Sequence, residues 1–150
     1  MTDGDGRTTG ALIVRVAGLE DAGVVHDLLY EFNGEALPLD ALARRMQQAT
    51  DLETAFLAER EGRQAGLLVL RIVPTISDAQ DWAEITELYV RPPFRRQGFG
   101  AALVRAAADY GRSRGCSELH LLVDPANQEA HAFYEASGFR RDSCGMCCRA

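Results

Sequence analysis

The run Arg95-Arg96-Gln97-Gly98-Phe99-Gly100 places two glycines, two fixed positive charges and an amide within six positions. Such a run can hold a diphosphate. Glycines lack a Cβ, so successive backbone N–H groups can converge on one point. A helix starting there adds unpaired first-turn donors and the positive end of its dipole. The order of segments supplies that helix: an extended stretch, Ile85 to Val90, precedes the loop, and an apolar-periodic stretch begins near Phe99. Two other phosphate loops do not fit. No Lys-Ser or Lys-Thr pair follows Gly100, as a P-loop requires, and Leu103 stands where a dinucleotide fingerprint has its third glycine.

The elements that must carry this loop can be read from periodicity and punctuation. A tail rich in Thr, Asp and Gly, residues 1–10, is expected to be disordered, leaving 11–150 as one domain. Ala11 to Val16 reads as a first strand, and Leu19 to Phe32 and Leu39 to Ala49 as two helices. Thr54 to Glu59 and Gln64 to Val73 read as a hairpin turned at Gly62, and Trp82 to Val90 as the strand that meets the glycine loop. Phe99 to Arg114 is the central helix, stopped by Gly115. Ser117 to Val123 is the next strand, Pro125 opens a helix ending at Gly138, and Phe139 to Ala150 supplies a closing strand. The class is mixed α/β, with Ser117 to Val123 parallel to Trp82 to Val90 through a right-handed crossover.

Composition narrows the function. With 150 residues, 47% of them hydrophobic and 25% charged, one ordinary core is expected. No apolar run approaches the roughly 20 residues of a membrane span, and the first ten resemble no signal or transit segment, so a cytoplasmic location is expected. A net charge of −6 argues against a nucleic-acid partner and favours a cationic one. Cys116, Cys144, Cys147 and Cys148 are too few and too clustered for a secreted disulfide framework. The Cys144-x-x-Cys147-Cys148 group lacks a second pair, and His120 and His131 stand at no familiar ligand spacing, so no metal site is expected. Neither His26 nor His131 has a visible catalytic partner.

Arg95-x-x-Gly98-x-Gly100 matches the Arg/Gln-x-x-Gly-x-Gly/Ala pattern of the GNAT acyltransferase superfamily, and Glu87-Leu88-Tyr89-Val90-Arg91-Pro92 resembles the strand before it there. Asn127, Ala130, Phe133-Tyr134 and Gly138-Phe139 resemble the superfamily's later segment. The resemblance covers Ala11 to Phe139. It implies a central twisted sheet of six to seven strands flanked by about four helices, with acetyl-CoA as co-substrate. Leu88, Tyr89 and Val90 on the strand would bind CoA. So would Arg95, Arg96, Gln97, Gly98, Phe99, Gly100 and Ala101 at the loop, and Asn127, Ala130 and Tyr134 on the later helix. The pantetheine arm would lie where the two parallel strands splay.

The implied reaction is direct acetyl transfer to a primary amine of a small molecule or peptide. An amine with pKa ≈ 10.4 is neutral about once in 2,500 molecules at pH 7, so a base must take its proton. Glu84 and Glu87 are the carboxylates available. Simple alternation puts them on opposite faces unless a bulge intervenes, and Glu84 is the first expectation because its place resembles that of the base in histone-type members. The resemblance makes the Leu88 N–H the oxyanion donor and Tyr134 the general acid toward the departing thiolate. Asn127 would bond the pantetheine region or cap its helix. The acceptor is expected between the two early helices and the Pro74 to Trp82 loop, where Asp78 and Asp81 offer negative charge. Transfer of a longer acyl group and a non-catalytic CoA-binding sensor are the alternatives. A short terminal edge strand suggests a homodimer.

Overall fold

The computed structural model describes residues 10–49, 51–142, 146 and 148–149. Five strands form one sheet whose spatial order follows the chain: β1 (Leu12–Val16), β2 (Glu53–Arg60), β3 (Arg63–Val73), β4 (Trp82–Val90) and β5 (Leu119–Leu121). All pairings are antiparallel except β4 with β5. Helices α1 (Ala22–Asn33) and α2 (Leu39–Gln48) connect β1 to β2, α3 (Phe99–Ser113) connects β4 to β5, and α4 (Gln128–Ala136) follows.

Alternation along the strands divides the core into two layers. Leu57, Leu67 and Val69 pack with Val25, Leu28 and Leu42 of α1 and α2. Phe56, Ala58, Leu68, Leu70 and Ile85 go to the other face, beneath Phe99, Leu103 and Ala107 of α3. Leu28, Leu57 and Leu67 are completely buried, and each such side chain contributes about 1.5–3 kcal/mol. The early helices are therefore packed firmly onto this face of the sheet.

The β2–β3 hairpin is tighter than its sequence suggests. Glu61 and Gly62 both adopt positive φ, 53° and 72°, the two-residue turn whose twist matches the flanking strands. Pairing consequently runs out to Arg60 and Arg63.

Several expectations are corrected. The first helix starts later, after a 3₁₀ turn at Leu19–Asp21, because Asp21 is drawn to Arg15 at 2.7 and 2.8 Å and also accepts the Gly18 N–H. Pro125 lies in a turn before α4, where the Asp124 carboxylate accepts the Ala126 N–H at 2.8 Å. Five strands stand among the described residues, not six or seven. Phe139 ends α4 instead of opening a strand: its N–H returns to the Tyr134 carbonyl at 3.0 Å and its ring packs on Tyr134. Residues 1–9 of the expected 1–10 tail and the Cys144 and Cys147 positions lie outside the described residues.

Candidate active site

The glycine loop follows a short 3₁₀ turn, Pro92–Phe94, and ends at Gly98, the N-cap of α3 with φ 85°. That left-handed conformation is open to glycine at no steric cost. Backbone bonds close the turn through the Phe94 and Arg95 N–H groups and resume with the Ala102 N–H on the Gly98 carbonyl. Between them, the N–H groups of Arg96, Gln97, Gly98, Phe99, Gly100 and Ala101 have no acceptor among the described residues. This donor set, at the start of a fifteen-residue helix, fits a diphosphate.

The side chains divide the labour differently from the sequence reading. Arg95 turns back, donating from Nε to the Val90 carbonyl at 2.9 Å, and Gln97 donates to the Pro93 carbonyl at 2.9 Å. Both therefore brace the loop. Arg96 is exposed, with no ion-pair partner among the described residues, and remains the arginine available to an anion. Gly100 serves packing as well: a Cβ there would stand 3.2 Å from two atoms of the Phe133 ring. Phe99 is buried in the core, while Ala101 is exposed.

A cleft opens from the same end of the sheet. β4 pairs with β5 at Ala83, Glu84 and Ile85 alone, facing Leu119, His120 and Leu121. Beyond Ile85 the two strands part. The Arg91 N–H donates to the Ala65 carbonyl of β3, so antiparallel alternation turns the N–H groups of Val90 and Leu88 toward the opposite edge. A cavity of about 260 Å³ occupies the gap. Glu87 and Leu88 line it from β4, Phe32 from α1, and Asn127, Ala130 and Tyr134 from α4 and its cap. A larger hollow, about 430 Å³, lies by Asp78, Trp82 and His120 at the other end of β4. Neither Glu87, Asn127 nor Tyr134 lines it, and the smaller cavity gathers all three.

The two glutamates separate on geometry. Glu84, with a side chain 13% exposed, is ion-paired to Arg71, its register partner, and does not line the cleft. Glu87 does. Burial pushes its carboxyl above the ordinary range, and Glu53 adds to the rise, while a weak 3.5 Å bond from the Asn33 amide opposes it. Tyr134 stands within an aromatic group with Phe133 and Phe139, and burial pushes its phenol up to about 12, so it holds its proton at neutral pH. Asn127 caps α4, its Oδ1 accepting the Ala130 N–H at 3.1 Å, while also lining the cleft.

Sequence reasoning missed the last turn of α1. Phe32 stacks on Tyr89 at 5.5 Å and Asn33 reaches Glu87. Glu31 grips Arg91 at 2.7–3.1 Å, and Arg91 also donates to the Gln64 carbonyl. The Asn33-Gly34 pair signals a helix end, but nothing local ties it to Glu87.

Residues 24–139 match the family model described as the acetyltransferase (GNAT) family. The chain belongs to that family. This GNAT chain is 37% identical over 107 residues to the mycothiol acetyltransferase of Thermobispora bispora, a match covering 69% of this chain and 36% of that protein. It is 33% identical over 91 residues to an aminoglycoside N(6′)-acetyltransferase of Klebsiella aerogenes, covering 59% of this chain and 60% of the relative. The GNAT chain thus spans less than two thirds of either relative. Its fold also matches an aminoglycoside N-acetyltransferase solved in complex with CoA, with TM-score 0.84, 20% identity, and coverage of 95% of this chain and 97% of the other. No metal-binding cluster occurs among the described residues of this GNAT chain, and no helix there is long and apolar enough to cross a membrane.

Proposed function

We propose that the protein transfers an acetyl group from acetyl-CoA directly to a primary amine of a small molecule or peptide, with Glu87 as base and Tyr134 as acid. One observation carries the reading. Glu87 and Tyr134 line the same cavity, which opens where β4 leaves β5, on the strand that leads into the unpaired N–H groups of the glycine loop.

Acetyl-CoA supplies the thioester whose acetyl group moves. Glu87 accepts a proton from the acceptor ammonium, for which its raised pKa suits it better than an ordinary carboxylate. As the amine's nitrogen bonds to the acetyl carbon, the Leu88 N–H meets the charge growing on the carbonyl oxygen. When the carbon–sulfur bond breaks, Tyr134 gives its proton to the sulfur and takes one back from the attacking nitrogen, which becomes a neutral amide. The main-chain donors of Arg96 to Ala101 and the Arg96 guanidinium take the diphosphate.

Glu84 has a poorer claim as base, because its ion pair with Arg71 commits its charge elsewhere. The test is release of free thiol from acetyl-CoA in the presence of a panel of primary amines, with product mass confirming an added acetyl group. Release that no amine accelerates would overturn the proposal.

A further inference from the structure

We propose that Arg60 and Arg63, paired across the β2–β3 turn, are positioning residues that hold the glycine loop in its anion-binding shape. The inference rests on the reading of that loop as a diphosphate site. Phe94 and Phe99 bracket the loop and meet edge to face at 5.5 Å. Each ring carries one arginine of the hairpin: Arg63 stands 5.3 Å from the Phe94 centroid and Arg60 4.8 Å from that of Phe99. Arg60 also donates to the Gln97 side-chain oxygen at 2.8 Å, and Gln97 donates in turn to the Pro93 carbonyl. Entry, middle and exit of the loop are thereby tied to one rigid hairpin.

The loop needs this external frame. The N–H groups of Arg96 to Ala101 make no main-chain bond among the described residues, so ahead of α3 the segment Arg96–Gln97 is held by side chains, and an array of donors binds an anion tightly when it is already arranged. Arg60 makes a concession to stay in place: its Nε is buried with no partner among the described residues. A side chain serving solubility alone would keep every donor in water. Its planar fork also suits the task, since it lies over a ring and bonds an amide at once, as a lysine cannot.

Calorimetric binding of CoA and of 3′-dephospho-CoA to the wild type and to Arg60→Ala, Arg60→Lys and Gln97→Ala tests this. We expect Arg60→Ala to weaken both ligands about tenfold, the scale of one charge-assisted hydrogen bond, with Arg60→Lys failing to restore affinity. Gln97→Ala, a change in an exposed loop side chain that leaves the core intact, should weaken both ligands similarly. The double variant should lose less than the product of the two single losses. In turnover, KM for acetyl-CoA should rise while kcat and the acceptor KM stay level. Unchanged affinity in Arg60→Ala and Gln97→Ala overturns the inference. So does full rescue by lysine, which would mean charge alone, or a loss confined to CoA, which would mean direct contact with its 3′-phosphate. A wild type that binds neither ligand removes the reading of the loop itself.

Discussion

Glu84 and Glu87 lie on the same face of β4, although an odd spacing puts strand residues on opposite faces. Leu70 faces Ile85 and Val69 faces Glu87, so Thr86 between them has no partner and forms a bulge. Its hydroxyl donates to the Val69 carbonyl at 3.4 Å. The extra residue shifts the alternation, bringing Glu87 to the face that also carries Val69, Leu67 and Tyr89 against α1 and α2. Arg71 holds Glu84 on that face, one step further from the cleft.

From this arrangement Glu87→Gln should lower kcat/KM for amine acetylation by about 10²–10⁴, the usual contribution of a general base. Glu84→Gln should change it less than about threefold. The partly exposed pair with Arg71 is the main loss, which for such pairs is at most about 1 kcal/mol of stability. Steady-state kinetics on both variants decide the assignment, and equal losses would remove it.

The raised pKa of Glu87 has two consequences of opposite sign. For activity, kcat/KM in the wild type should rise with pH through an apparent pKa above that of an ordinary glutamate, and Glu87→Gln should lose that limb. For stability, the folded state keeps its proton over a range where the unfolded state has already lost it. Stability from this group is thus present below the unfolded pKa and is lost as pH rises through the folded one. Glu87→Gln should therefore melt higher than wild type at pH 7 and converge with it near pH 4. Thermal melts across that range measure the difference, and a variant that melts lower at pH 7 would contradict the burial argument.

What could be read from the chain and what could not divide along a physical line. The glycine loop and its helix were legible because strand, positive φ and helix start are consecutive in sequence. The hairpin turn at Gly62 was legible for the same reason, whereas the positive φ of Glu61 was not. The bulge at Thr86 was not, since it exists in relation to β3 and no residue type announces it. The contact of Asn33 with Glu87 joins positions 54 apart, and the hold of Arg60 on Gln97 joins positions 37 apart. Arg95 read as a phosphate contact and Gln97 as a CoA-binding residue, whereas their side chains fold back onto the carbonyls of Val90 at the end of β4 and Pro93 in the following turn. Glu84 comes first as base in the sequence because its place resembles that of the base in histone-type members, whereas its pairing with Arg71 on the partner strand keeps it out of the cavity lining.

Tyr134→Phe should reduce kcat by about 10²-fold or more if its hydroxyl supplies the proton to the leaving sulfur, with little change in acceptor KM. Its phenol at about 12 also predicts that activity shows no alkaline decline attributable to this residue below about pH 10. The melting temperature should hold, because the ring's contacts with Phe133 and Phe139 survive the substitution. Wild-type kcat in a folded Tyr134→Phe variant would remove it from the reaction.

Gly98 and Gly100 should fail differently when each is changed to alanine. At Gly98 a Cβ would meet nothing within 4 Å, so the cost is conformational: φ 85° strains an L-residue by about 1–2 kcal/mol. Relief of that strain would rotate the peptide at the helix start, so Gly98→Ala should weaken CoA binding more than it lowers stability. At Gly100 the backbone is helical and tolerates a side chain, but the Phe133 ring stands 3.2 Å from the new carbon. That ring must move, at about 1–3 kcal/mol for overpacking, and Phe133 precedes Tyr134 on the same helix. Gly100→Ala should therefore depress kcat as well as affinity. Pairing it with Phe133→Leu, which makes room, should recover both in part. Calorimetry and turnover on the two alanine variants and the double variant separate strain from crowding, and identical profiles for Gly98→Ala and Gly100→Ala would show that the two glycines share one role.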